Sequence, residues 1–212
     1  MKIGVLGTGV VGQTLASGFR SLGDEVTLGS REANNPKAVE WAQKNGGHAA
    51  TFADAAKFGE LLVLATPWTA TQTIIELAGP ENFVGKVVLD PTNPLEYKPG
   101  ALPTLSIGHS DSAGEQVQRW LPGAHVVKCF NIVGAPHMIH PSFAGQKPDM
   151  VVAGNDPNAK ATAQKICEAF GWSVIDLGAI EMSRYLEPLA MVWIVFGIRN
   201  KSFDHAFAFL RK

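Results

Sequence analysis

Cysteine is scarce in this 212-residue chain: Cys129 and Cys167 are the only two. Two thiols cannot build a disulfide scaffold, so the expected setting is reducing and cytoplasmic, with both side chains read as small buried hydrophobes. An excess of positive charge is missing too. Eighteen Lys and Arg face nineteen Asp and Glu, a net charge of -1. No basic field exists to hold a polyanion, which argues against nucleic-acid binding. Long apolar runs are absent. Leu189 to Ile198 is the longest, well short of the ~20 residues that span a bilayer, so it reads as a buried or interface helix and no membrane partner is expected. The apolar stretch after Met1-Lys2 breaks at Gly7 with no cleavage pattern behind it, so no secretory leader is expected.

Catalytic and metal-binding sets are equally hard to find. His109, Ser110 and Asp111 are consecutive, and consecutive residues cannot adopt a nucleophile–base–acid geometry. Ser112 or Asp111 is better read as a cap for the helix that follows. His137 and His140 stand three apart, but Pro136 and Pro141 flank them and no Cys, Asp or Glu cluster accompanies them. No metal site is expected there. Gly134 to His140 reads instead as a loop over a ligand pocket.

What the chain has is alternation. Apolar strands are expected at Lys2–Leu6, Glu25–Leu28, Ala49–Phe52, Leu61–Ala65, Lys86–Leu89, His125–Lys128, Met150–Ala153 and Ser173–Leu177. Helical spacing separates them at Val11–Leu22, Pro36–Lys44, Asp54–Phe58, Thr69–Ala78, Ala113–Leu121 and Asn158–Phe170. Pro94 to Pro103 reads as a loop, and Ile180 onward as mostly helical to the end. This order predicts an α/β, Rossmann-like, doubly wound and mostly parallel sheet. Residues 1–212 are read as one NAD(P)-binding domain, with 180–212 a small C-terminal helical extension.

The first strand opens onto Gly7-Thr8-Gly9-Val10-Val11-Gly12, the G-x-G-x-x-G pattern between strand and helix. Gly7 allows a tight turn, Gly9 lets backbone approach a pyrophosphate, and Gly12 lets the helix pack close. The helix N-terminus then offers N–H groups and a positive dipole end to phosphate. At the end of the second strand an NAD site would carry Asp or Glu. Here Gly29-Ser30-Arg31 stands instead. Ser30 and Arg31 suit a 2′-phosphate, and Lys37 adds charge, so NADP(H) is expected over NAD(H). Thr66, Pro67 and Trp68 end another strand, and Asp90-Pro91-Thr92-Asn93-Pro94 a further one. Both should rim the same crevice, with Asn93 bonding ribose or carboxamide.

These segments, with Val127-Lys128-Cys129-Phe130-Asn131 and Ser183-Arg184-Tyr185-Leu186-Glu187-Pro188-Leu189, resemble the NADPH-dependent reductases of the deazaflavin coenzyme F420. The oxidoreductase domain of the six-transmembrane epithelial metalloreductases is similar. The resemblance covers nearly the whole chain. It implies a homodimer and hydride transfer between NADP and a flavin-like ring. It also implies that Thr8 to Val11 hold the pyrophosphate, that Ser30 and Arg31 hold the 2′-phosphate, and that Asn131 to Ala135 border the nicotinamide end. The acceptor stays open between deazaflavin and FMN or FAD. Tyr185, Trp193 and Phe196 are bulky residues expected to shape its pocket.

Hydride transfer between two rings needs near-attack geometry more than a strong acid or base. Reduction of a small carbonyl or imine would need a proton donor, for which Lys128 is the candidate, although it reads first as a solvated or structural lysine. A non-catalytic NADPH sensor is the reading from another class. The apolar helix carrying Leu186, Leu189, Val192, Trp193 and Phe196 is expected to belong to the core or to a dimer interface.

Overall fold

A computed structural model describes residues 1–143, 145 and 147–210 of the chain. Its first strand, β1 (Lys2–Leu6), runs into α1 (Val10–Ser21), β2 (Glu25–Ser30), α2 (Pro36–Asn45), β3 (His48–Thr51) and α3 (Phe52–Phe58). Then come β4 (Leu61–Leu64), α4 (Trp68–Ala78), β5 (Val87–Asp90), β6 (Leu95–Glu96), β7 (Thr104–Leu105), α5 (Ala113–Trp120) and β8 (His125–Lys128). β9 (Asp149–Gly154), α6 (Pro157–Ala169), β10 (Ser173–Asp176) and α7 (Ser183–Asn200) complete the order.

One sheet orders its strands β10-β9-β8-β5-β4-β1-β2-β3. Every neighbouring pair is parallel except β8 with β9. All four residues of β4 are buried, because helices cover both faces and leave no polar side for alternation. On one face Leu15, Phe19, Trp41, Ile166, Phe170 and Trp172 join the core; on the other Phe52, Ile74, Ile75, Phe83 and Val117 do. The sheet is therefore doubly wound. The strand order reverses between β1 and β4, and the crevice at that switch point is where the carboxyl ends of the strands receive ligands.

Asn35 caps α2 by accepting from the Lys37 and Ala38 N–H groups, and Ser112 caps α5 by accepting from Glu115. The cap expected from the sequence is thus Ser112. Two expectations fail. Pro94 to Pro103 is not wholly loop, since β6 and β7 pair as a short antiparallel hairpin. The second concerns the end of the chain. α7 stops at Asn200, Lys201 turns left-handed at φ 52°, and residues 202–210 run back without helix. Gly197 makes this possible, because a Cβ there would stand 2.4 Å from the Phe203 ring. The returning strap is bonded from Asp149 N–H to Phe207 O and from Phe209 N–H to the Asp149 carboxylate. Residues 211 and 212 of the expected extension lie outside the described residues. Among the described residues no helix is long and apolar enough to cross a membrane.

Candidate active site

β1 ends at Leu6, and Gly7 turns the chain at φ 127°, a conformation that favours glycine. A Cβ on Gly7 would stand 2.1 Å from Ala65 O, and one on Gly12 would stand 2.1 Å from Gly7 O. Both glycines therefore serve close packing of backbone on backbone. Gly9 differs, because a Cβ there would meet nothing within 4 Å. It caps α1 without a side-chain acceptor, so the first N–H groups of the helix face open space. Gln13 braces the loop by donating to Thr8 O at 2.9 Å. Val10 lies 71% exposed at the head of α1, an apolar side chain awaiting cover.

A crevice of about 550 Å³ opens beside this loop. Gly9, Val10 and Val11 line it, with Thr66, Pro67, Trp68 and Asn93 from the other strand ends. Leu95 and Tyr97 of the hairpin close its outer side. Trp68 stacks on Trp120, with centroids 5.4 Å apart and planes 20° from parallel. The Thr66 hydroxyl is taken by Thr71 at 2.8 Å, and Thr71 also donates to Pro67 O. Among the described residues no charged side chain lines the crevice, and Tyr97 is its only titratable group.

The remaining residues expected from the sequence sit elsewhere. Ser30 is buried, and its hydroxyl donates to Glu32 O. A phosphate bond from that proton would need this turn to reopen. Arg31 is exposed at the end of β2 and forms no ion pair among the described residues. Lys37 lines a separate groove between α1 and α2. Asn131 and Ala135 are buried behind the crevice wall and do not line it. Asn131 reaches the wall through Asn93, and its Oδ1 has no hydrogen-bond partner among the described residues.

The segment 134–140 also misses the crevice. Gly134 lies against Trp193, while Ile139 and His140 line the α1–α2 groove. The expected acceptor-pocket residues are displaced as well. Trp193 is buried under the strap, bonded to His205 O, and Tyr185 and Phe196 are exposed along other clefts. Sequence reasoning missed Tyr97 and Leu95, since two-residue strands between prolines carry no periodic signal.

Lys128 is neither solvated nor facing the crevice. It is wholly buried, with Nζ 2.7 Å from Asp90 and 3.1 Å from Glu187. Burial works against its ammonium, but the two carboxylates outweigh burial and raise its pKa. Cys129 and Cys167 are free thiols inside the core, and burial pushes the Cys167 thiol up.

These features fit a dinucleotide. The open space at Gly9, the uncapped head of α1, the exposed Val10 and an uncharged crevice leading from them match its phosphates and its ring in turn. At the end of β2 Gly29-Ser30-Arg31 stands where an NAD site would carry a carboxylate, and Glu32 follows, exposed, with its carbonyl accepting from Ser30.

Comparisons with known proteins agree. Residues 2–94 match the family described as NADP oxidoreductase coenzyme F420-dependent. The F420-dependent NADP reductase of Methanothermobacter marburgensis is 32% identical, across 95% of this chain and 94% of that protein. Metalloreductase STEAP3 of Rattus norvegicus is 25% identical across 90% of this chain but 36% of its own length. A solved structure of a candidate F420-dependent NADP reductase from Arthrobacter sp. FB24 superposes with TM-score 0.93 at 39% identity, covering all of both chains. The chain belongs to the family of coenzyme F420-dependent NADP oxidoreductases.

Proposed function

We propose that the protein passes a hydride between NADPH and a flat, flavin-type ring, the deazaflavin coenzyme F420 before FMN or FAD. The observation that carries this is the crevice at the switch point. It runs from the bare Gly9 to Trp68, Asn93 and Tyr97 and holds no charged side chain among the described residues. When bound, the nicotinamide supplies the hydride. The chain's own residues orient the two partners and exclude water. Gly9 and the head of α1 receive the pyrophosphate, Arg31 reaches the 2′-phosphate, and Asn93 offers its amide at the ring end. Trp68, backed by Trp120, gives a rigid aromatic wall. Such a site works by near-attack positioning and needs no strong acid.

Reduction of a carbonyl or imine is less well supported, because Lys128 cannot reach a substrate from its buried position. A pure sensor has no observation in its favour. We read residues 1–212 as one NAD(P)-binding unit acting in a reducing cytoplasm, where Cys129 and Cys167 stay thiols. We read the exposed apolar face of α7, with Tyr185, Val192 and Phe196, as the seat of a second copy.

The test is NADPH oxidation by the purified protein with F420, FMN, FAD and ferric chelates in parallel. Turnover with F420 well above the others is the expected result. Tight NADPH binding without oxidation by any of them would sink the proposal. Sedimentation of the wild type against Phe196→Glu tests the second copy, with a dimer expected for the first and a monomer for the second.

A further inference from the structure

Lys128 Nζ donates to Thr92 O at 2.8 Å and forms ion pairs with Asp90 Oδ2 at 2.7 Å and Glu187 Oε1 at 3.1 Å. Asp90 uses its other oxygen, Oδ1, to accept from Thr92 N–H at 2.9 Å and Thr92 Oγ1 at 2.6 Å. Glu187 also accepts from the Ala113 and Gly114 N–H groups at the head of α5, each at 3.0 Å. Two carboxylates thus share one ammonium, and the positive end of α5 supplies the remaining compensation. All three side chains are at most 1% exposed.

Burying charges is costly, and well-packed apolar side chains often serve stability as well or better. What the cluster delivers is position. Thr92 is gripped at its N–H, its hydroxyl and its carbonyl, and Thr92 lines the crevice beside Asn93. The same wall is tied to α7 a second time, since Asn131 donates to both Asn93 Oδ1 and Leu186 O. Leu186 adjoins Glu187, so α7 and the crevice wall belong to one bonded unit.

We propose that Lys128 is a positioning residue for hydride transfer, holding the Thr92–Asn93 wall through the Thr92 carbonyl and locking that wall to α7 through Glu187. This rests on the crevice being where the two rings meet. Lys128 itself touches neither ring, and the pyrophosphate loop lies outside its network.

Lys128→Met leaves two buried carboxylates without their cation and is expected to fold poorly. Lys128→Met with Asp90→Asn restores the charge balance. The amide oxygen introduced by Asp90→Asn can still accept from Thr92, and Glu187 keeps its two N–H partners. The Lys128–Asp90 pair, the hold on the Thr92 carbonyl and the tie to Glu187 are lost. In this double variant the NADPH dissociation constant should stay within about twofold, while single-turnover hydride transfer to F420 falls by about tenfold or more. Independently of any acceptor, amide hydrogen exchange over residues 91–97 of the ligand-free protein should accelerate at least about threefold, with β1 and β2 unchanged. If the wild type reduces no acceptor, the proposed function fails, and the exchange measurement still decides the role of Lys128. Wild-type exchange over 91–97, or a wild-type transfer rate in the double variant, overturns the proposal and leaves Lys128 a charge balancer only.

Discussion

Asn93 and Asn131 hold each other across the ends of β5 and β8. Asn93 Nδ2 donates to Asn131 O at 2.8 Å, and Asn131 Nδ2 donates to Asn93 Oδ1 at 3.1 Å and to Leu186 O at 3.0 Å. These donations fix which way each amide points. Asn93 therefore meets the crevice in one orientation, and Asn131, buried behind the crevice wall, sets it. Asn131→Ala removes the donor from a buried carbonyl and a half-buried amide oxygen. It should cost about 1–3 kcal/mol, the penalty of one unmade buried bond. Urea unfolding measures this. A loss under about 0.5 kcal/mol, the range of ordinary surface changes, would mean the pair is incidental.

Two of the loop glycines make separable predictions. Gly12→Ala puts a Cβ 2.1 Å from Gly7 O, and neither backbone can yield without moving α1 off the sheet. Stability should fall by about 2 kcal/mol or more. Gly9→Val meets no protein atom within 4 Å, and its φ of -72° and ψ of 176° suit any residue. Stability should hold within about 0.5 kcal/mol while NADPH binding is lost, because the new side chain fills the space left for phosphate. Thermal unfolding and calorimetric titration on both variants check this. Retained NADPH affinity in Gly9→Val would make the loop a turn and nothing more.

The fold was legible because buried parallel strands write themselves as unbroken apolar runs such as Leu61–Leu64, and helices between them as three–four spacing. The strand bearing Lys128 was legible too. Its partners were not, since Asp90 and Glu187 are distant in the chain and only the closed sheet brings them to one ammonium. Tyr97 was hidden because β6 and β7 have two residues each, too few for a period, and Pro94, Pro99 and Pro103 all signal loop. The strap beyond Asn200 reads as helix in the sequence because the helical spacing of Leu186, Leu189, Val192, Trp193 and Phe196 carries the reading on to the end of the chain, where Phe203, Phe207 and Phe209 stand. They are instead the residues by which an extended chain packs on Trp193 and β9. Sequence patterns report local periodicity, and these features depend on contacts made after the chain has closed.

Arg31 gives the cofactor prediction. It is exposed at the end of β2 and forms no ion pair among the described residues. Ser30 spends its proton on Glu32 O, so under the proposed function the charge of Arg31 should carry most of the 2′-phosphate recognition. A charge-assisted bond of this kind contributes about 1.5–3 kcal/mol, so Arg31→Ala should weaken NADPH by about 10- to 100-fold. NADH has no 2′-phosphate and should lose less than about threefold by the same reasoning. Titration of both cofactors against both proteins separates the outcomes. Equal losses would remove Arg31 from the phosphate site.

The α5–α7 contact should show itself in acid. Arg184 on α7 donates to both Glu115 oxygens on α5, one at 2.8 Å. These bonds hold the Glu115 carboxyl below its ordinary value of 4.5, with Ser112 assisting and desolvation opposing. A carboxyl with a depressed folded pKa stabilises the fold fully above its unfolded pKa. That contribution fades as pH drops through the folded pKa, because the unfolded chain takes up the proton first. Glu115→Gln keeps the shape and discards the charge. Wild type should therefore outlast the variant in thermal unfolding at pH 7, and the gap should shrink as pH falls below 4.5. The pair is partly open to solvent, so moderate salt should also narrow the gap at pH 7. A gap that stays constant from neutral pH into acid would show that Glu115 acts through its shape and its cap bonds, with Arg184 contributing nothing through charge.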